Sequence, residues 1–163
     1  MPQQFKPFIF EHRLACARVG LVLEGHSLVQ GFMPESLLWE RWVQKRQKLC
    51  DGEFVYKAPD AGAERVGLEV ELTLKNRDKL DESLRALSDR KDLAQVWWIC
   101  GDATILRALK MEVMRRYWNA TPRHLFCLMK DFLSLKHKSQ LMDAEGASFK
   151  IDPAEPTLRP LPP

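Results

Sequence analysis

One stretch limits the fold more than any other: residues 67–75, reading Gly-Leu-Glu-Val-Glu-Leu-Thr-Leu-Lys. Leu68, Val70, Leu72 and Leu74 alternate with Glu69, Glu71, Thr73 and Lys75. Successive side chains of a β-strand point to opposite sides, so the alternation predicts a strand with one buried and one polar face. The polar row carries two carboxylates, a hydroxyl and an ammonium, about 7 Å apart per pair of residues. With a third acid from a neighbouring strand, the two carboxylates can converge on one cation. A plain solvated sheet face carries the same residue types, and two carboxylates about 7 Å apart in water repel by only about 0.6 kcal/mol. Repulsion therefore does not choose between a metal site and an ordinary surface.

A chain of 163 residues fits one domain with a sizeable core. Its 45% hydrophobic and 29% charged residues are those of a soluble globular protein, and its mean hydropathy of -0.31 agrees. The apolar runs around residues 94–100 and 125–129 are too short to cross a bilayer, and the amino terminus has no signal-peptide pattern. Cys16, Cys50, Cys100 and Cys127 lie far apart, each in an apolar segment and without zinc-type pairing. Buried reduced thiols and a cytoplasmic setting are expected. The net charge of +3 is modest but uneven. Arg107, Lys110, Arg115, Arg116, Arg123, Lys130, Lys136 and Lys138 face only Glu112 and Asp131 over the same interval. Such an excess suits phosphates or a solvated face equally well.

Residues 1–10 read as a lead-in arm, and 141–163 as a flexible proline-rich tail, leaving residues 11–140 as the folded domain. Leu14, Ala17, Leu21 and Val22 predict a helix over residues 11–24, with His12 as a polar group at its start. Residues 31–34 read as a break, and a second helix is expected from Pro34 to about Lys48, carrying Glu40, Arg41 and Lys45. Asp51-Gly52 opens a strand ending near Tyr56, residues 57–64 read as a loop, and the acid-bearing strand follows as the other arm of a meander. Asp51 is thereby expected to approach Glu69 and Glu71. A helix over residues 76–87 leads to the apolar strand 93–100, parallel to the acid strand by a right-handed crossover. A helix over 104–117, an edge strand over 125–129 and an ambiguous segment over 130–140 complete the domain.

This order of elements, with Glu40 on a helix, Asp51 opening a strand, Glu69 and Glu71 on the next, then a helix and an apolar strand, resembles the PD-(D/E)XK nuclease superfamily. Within it the chain is similar to plasmid replication-relaxation and mobilisation relaxase proteins. These often show a Ser-Glu-Arg helix motif, a Pro-Asp-Gly turn and a Glu-x-Glu-x-x-x-Lys strand. The matching residues are Glu40-Arg41, Asp51-Gly52, and Glu69, Glu71 and Lys75, and Glu11-His12-Arg13-Leu14-Ala15 resembles the start of the family's first helix. The resemblance spans roughly residues 12–109. Cys50 stands in place of the motif proline, and Thr73 where a lysine would follow Glu71.

The resemblance implies an α/β, restriction-endonuclease-like fold: a mixed central sheet, an antiparallel meander plus a parallel strand, flanked by helices. It implies Asp51, Glu69 and Glu71 as ligands of Mg²⁺ or Mn²⁺, with Lys75 steadying charge at the phosphate and Glu40 supporting. Arg41 and Lys45, with Arg115 and Arg116 of the basic run, are the expected DNA contacts. The implied function is metal-dependent DNA nicking in plasmid or mobile-element transfer or replication. The alternatives are an inactive DNA-binding or scaffolding subunit of a conjugation complex, and an interaction module without a nucleic-acid role. Relatives commonly carry a winged-helix domain ahead of the core, which the stretch before His12 is too short to hold. A separate DNA-recognition or transfer-complex subunit is therefore an expected partner. Tyr56 and Tyr117 are the only tyrosines, and neither sits in a motif for covalent cleavage.

Overall fold

The computed structural model describes residues 7–42, 48–58, 62–135 and 138–151. It is α/β, with a seven-stranded mixed sheet in the order β1-β2-β3-β4-β5-β6-β7 and helices on both faces. Helix α1 spans Pro7–Glu24. It thus begins inside the expected arm, because proline is tolerated in a first turn whose N–H groups lack intrahelical partners anyway. Strand β1, Val29–Pro34, occupies the expected break. Gly31 has a φ of 62°, and the pairing of β1 with β2 shifts register between Gln30 and Met33. The glycine makes a bulge within a strand rather than ending one.

Helix α2 covers Glu35–Trp42, and residues 43–47 lie outside the described residues. Residues 48–50 are not helical, so the expected helix does not reach Lys48. Strands β2, Gly52–Ala58, and β3, Gly62–Glu71, pair antiparallel from Gly52 opposite Leu68 to Ala58 opposite Gly62. The loop expected over 57–64 is therefore largely strand. At its other end β3 stops at Glu71 and residues 72–75 leave the sheet.

Helix α3, Arg77–Ser88, is capped by the Asn76 side chain accepting from the Lys79 amide, and it buries Leu80, Leu84 and Leu87. It carries the chain across to β4, Gln95–Cys100, which runs parallel to β3 as expected. Asp102 caps α4, Ala103–Arg116, and β5, Arg123–Leu128, is again parallel to β4. The strand expected at the edge is internal, because β5 also pairs with β6, Gln140–Met142. Helix α5, Met129–Leu135, lies between them, and β7, Ser148–Lys150, closes the sheet. Residues 141–151 thus belong to the fold, and residues 152–163 lie outside the described residues.

Two cores cover the sheet. One holds Val19 and Leu23 of α1 and Phe132 of α5 against Leu68, Val70, Trp97, Ile99 and Cys127. The other holds Leu84 and Leu87 of α3 and Ile105 and Leu109 of α4 against Val96, Trp98, Cys100 and Phe126. Neighbouring Trp97 and Trp98 point to opposite faces, and both are fully buried. With helices on both faces, β3 is buried on both sides from Val66 to Glu71. The expected polar face is therefore not solvated. Gly67 lets the chain pack this closely: a Cβ there would lie 2.7 Å from Cys50 Sγ and 2.9 Å from Leu93 Cδ1.

Under α3 and α4, Trp98 Nε1 donates to His124 Nδ1 at 3.0 Å, and the other ring nitrogen lies 3.1 Å from Ser88 Oγ. Burial pulls the His124 pKa down from 6.5 to about 4, which keeps the ring neutral as an acceptor for Trp98. The unfolded chain binds this proton more tightly. Stability should thus be complete above pH 6.5 and decline as pH falls through about 4. The stability advantage of the parent over His124→Gln, read from urea midpoints of the two proteins at each pH, should decrease between pH 6.5 and 4, a difference in which the slopes of the other titrating groups cancel.

Candidate functional site

Strand β2 begins at Gly52, opposite Leu68, so no β2 residue lies opposite Val70. The missing ladder bonds come from two side chains. Asp51 Oδ2 accepts the Val70 amide at 2.7 Å, and His12 Nε2 donates to the Val70 carbonyl at 3.0 Å. Asp51 is itself placed by its carbonyl, which accepts the amide of Glu35 at the start of α2. His12 Nε2 stands 3.4 Å from Asp51 Oδ2, and Cys16, one turn further along α1, has its Sγ 3.7 Å from His12 Nδ1. The Asp51 hydrogen bond, followed by the Cys16 contact, pushes the His12 pKa up to about 11. The ring is therefore an imidazolium beside a carboxylate. Burial raises the Cys16 thiol above its ordinary pKa, although His12 acts in the opposite sense.

Glu69 and Glu71 are in register with Trp98 and Cys100 and point to the face covered by α3 and α4. They are only 5% and 6% exposed, against the solvated face expected from the alternation. Each has a lysine. Lys48 Nζ lies 2.6 Å from Glu69 Oε1, and Lys75 Nζ pairs with Glu71 Oε2. Burial pushes the Glu69 pKa up to about 7 in spite of Lys48, with the Asp51 charge adding to the rise. On the Lys48 side, burial is outweighed by the charge and hydrogen bond of Glu69, and the ammonium pKa rises. The Gly101 amide donates to the Glu71 carbonyl at 2.8 Å, which puts this cluster at the carboxyl ends of β3 and β4, beside the start of α4. Open α/β sheets bind ligands at that end.

Asp51 therefore approaches Glu69 and Glu71, as expected, but at the end of β3 rather than in mid-strand, with Lys75 beyond it. The three acids do not form one compact ligand set. Among the described residues, the group whose ligand atoms all lie within 4.8 Å of one another is His12, Cys16 and Asp51. Glu40 and Arg41 lie in α2, and only their backbone is described. Lys45 lies outside the described residues.

Arg115 and Arg116 are not brought to the acids. They occupy the last turn of α4, about 20 Å of helix away from its start beside Glu71. There Arg115 pairs with Glu112 at 2.5 Å and Arg116 with Asp81 at 2.9 Å.

Sequence reasoning underrated His12 and missed Cys16 and Lys48. The spacing of His12 and Cys16, four residues apart on a helix, was the available signal. Nothing local marks Lys48 as the partner of Glu69. His12, Cys16 and Asp51 line a groove of about 800 Å³ between α1, β1 and α2, together with Phe32, Glu35 and Trp39.

No protein-family model, curated protein or solved structure matches the chain.

Removing one member of a buried ion pair costs about 3–5 kcal/mol because the other charge is left uncompensated. Lys48→Met should approach that loss in chemical denaturation at pH 8. The loss should shrink as pH falls towards about 7, because Glu69 without Lys48 takes up its proton at higher pH than in the parent, and below about 7 the carboxyl is protonated in both. A penalty independent of pH would show that Glu69 is not the group left uncompensated.

Proposed function

We propose that the chain is a restriction-endonuclease-like domain that nicks DNA with the help of a divalent cation, in plasmid or mobile-element transfer or replication. The observation that carries this reading is the burial of Glu69 and Glu71, each with a lysine, at the end of the sheet where Asp51 enters β2. Buried charge is costly, and its concentration in one place with a perturbed carboxyl pKa is typical of working sites. The element order also supports it. An antiparallel β1-β2-β3 meander, a crossover through α3 and a parallel β4 are what the resemblance implies.

The oxygen donors of Asp51, Glu69 and Glu71 suit Mg²⁺ or Mn²⁺. The raised pKa of Glu69 marks a carboxyl group that gains from further positive charge nearby. Such a cation lowers the pKa of a bound water and polarises a phosphate. Lys48 and Lys75 hold Glu69 and Glu71 in place, and Lys75, at 32% exposure, is open to contact the phosphate and steady the charge that develops there. The four cysteines are free thiols, in keeping with a reducing, cytoplasmic setting.

One observation favours a second reading, an inactive DNA-binding or scaffolding subunit. Every acid of the set already has a partner within the chain: Glu69 has Lys48, Glu71 has Lys75, and Asp51 has His12 and the Val70 amide. The test is incubation with supercoiled plasmid and Mn²⁺ or Mg²⁺. The nicking reading expects open circles from the parent, and none from Asp51→Asn or Glu71→Gln whose circular dichroism matches the parent. If the folded parent leaves the plasmid intact with both metals, nicking is excluded for this chain. Salt-dependent DNA binding would then support the scaffolding role.

A further inference from the structure

On the other side of Asp51 from Glu69 lies a second cluster of different chemistry. His12 and Cys16 project from one face of α1, one turn apart, and Asp51 reaches them from the segment before β2. All three are partly exposed and line the groove between α1 and α2. A nitrogen, a sulfur and an oxygen donor form a set suited to zinc-class ions, and hard cations such as Mg²⁺ disfavour it.

We propose that His12, Cys16 and Asp51 form a binding site for a zinc-class transition-metal ion, with a coordination position left open towards the groove. Bond lengths of about 2.3 Å to sulfur and about 2.0–2.1 Å to nitrogen put the sulfur–nitrogen edge of a tetrahedral zinc site at about 3.6 Å. Cys16 Sγ lies 3.7 Å from His12 Nδ1 and 3.9 Å from Nε2, so the first distance is already that of the edge and a turn of the ring that carries Nε2 away from the sulfur aims the Nδ1 lone pair at a shared ion. With Nδ1 as the ligand, Nε2 keeps its proton on the Val70 carbonyl at 3.0 Å. That is the outer hydrogen bond which fixes the ring orientation and tautomer of metal-binding histidines. Asp51 accepts the Val70 amide through Oδ2, and its Oδ1 takes no other hydrogen bond among the described residues. Both ends of the site are thus tied to one residue of β3, Val70, and little has to be ordered when the ion arrives. On binding, the Cys16 S–H bond and the Nδ1–H bond of the His12 imidazolium are replaced by metal–sulfur and metal–nitrogen bonds, and both protons leave to solvent. Three protein donors leave the fourth tetrahedral position to water or to a ligand in the groove.

The inference goes beyond nicking and shares only Asp51 with it. Co²⁺ alone is the probe, followed by absorption, because a cobalt–thiolate bond gives a charge-transfer band that oxygen-only sites lack. The parent should take up one Co²⁺ per chain with this band, and Zn²⁺ should bleach it. Cys16→Ser and His12→Asn, checked for fold by circular dichroism, should lose the band. Glu71→Gln, which removes a carboxylate of the nicking site and none of these ligands, should keep it whether or not the parent nicks DNA. Absence of the band in the folded parent overturns the proposal. So does its persistence in Cys16→Ser, where Cys50, Cys100 or Cys127 would have to be the ligand.

Discussion

Carboxylates brought into the interior on β2 and β3 have to be matched by cations, and that requirement shapes much of what surrounds them. Glu53, at 1% exposure, is matched by Arg90 at 2.8 Å and by Arg65. Arg90 is itself buried, and it also bonds both oxygens of Asp92 and the carbonyl of Lys48. One guanidinium thus ties the connection after α3 to the segment entering β2, using the planar fork that lysine lacks. The same segment carries Lys48 to Glu69, so the two clusters are mechanically joined. A buried carboxylate without such a partner would cost several kcal/mol, more than most of the fold's individual contacts contribute.

A second constraint is where β2 stops. Because the β2–β3 ladder ends at Gly52, the amide and carbonyl of Val70 would lose their partners in a partly buried position. Asp51 and His12 fill those places, which fastens α1 to the end of β3 and defines one wall of the groove. An unmade backbone hydrogen bond there would cost about 1–3 kcal/mol. The side chains that complete the ladder are also those with the strongest chemical potential, an imidazolium and a carboxylate with a thiol beside them. Structure and chemistry share residues here because both need a fixed polar group at a strand end.

The sheet end is therefore two-sided around Asp51. Towards α3 and α4 lie oxygen donors with lysines, and towards α1 lies a nitrogen, sulfur and oxygen set. Cations of different hardness suit the two sides. The far end of α4 is organised differently: Arg115 and Arg116 are neutralised by Glu112 and Asp81, while Met111, Met114 and Trp118 are exposed. The basic excess legible along this stretch is thus partly consumed by local pairs, and it lies a helix length from the acids.

Periodicity is a local property, and the elements it defines strongly were legible in the sequence. Helices α1, α3 and α4 and strands β3 and β4 follow from runs of apolar residues at helical or strand spacing, and the approach of Asp51 to Glu69 and Glu71 followed from counting along the chain, although the acids were expected in mid-strand and lie at its end. The bulged β1 was not legible, since Gly31 reads as a break until a partner strand supplies a register. The short β6 and β7 were hidden as well, because three-residue strands carry too few alternations to register. Above all, the alternation of Glu69 and Glu71 with leucine and valine records residue type and says nothing about access to water. Whether those carboxylates meet solvent depends on α3, α4 and Lys48, which reach them from elsewhere in the chain. His12 and Cys16 share a helix face by sequence alone, but Asp51 joins them only because β2 ends where α1 crosses the sheet. Sequence alone determined which residues could form each element, since that needs only neighbours. Tertiary structure decided which charges are buried and what they face, because burial and pairing are set by segments distant along the chain.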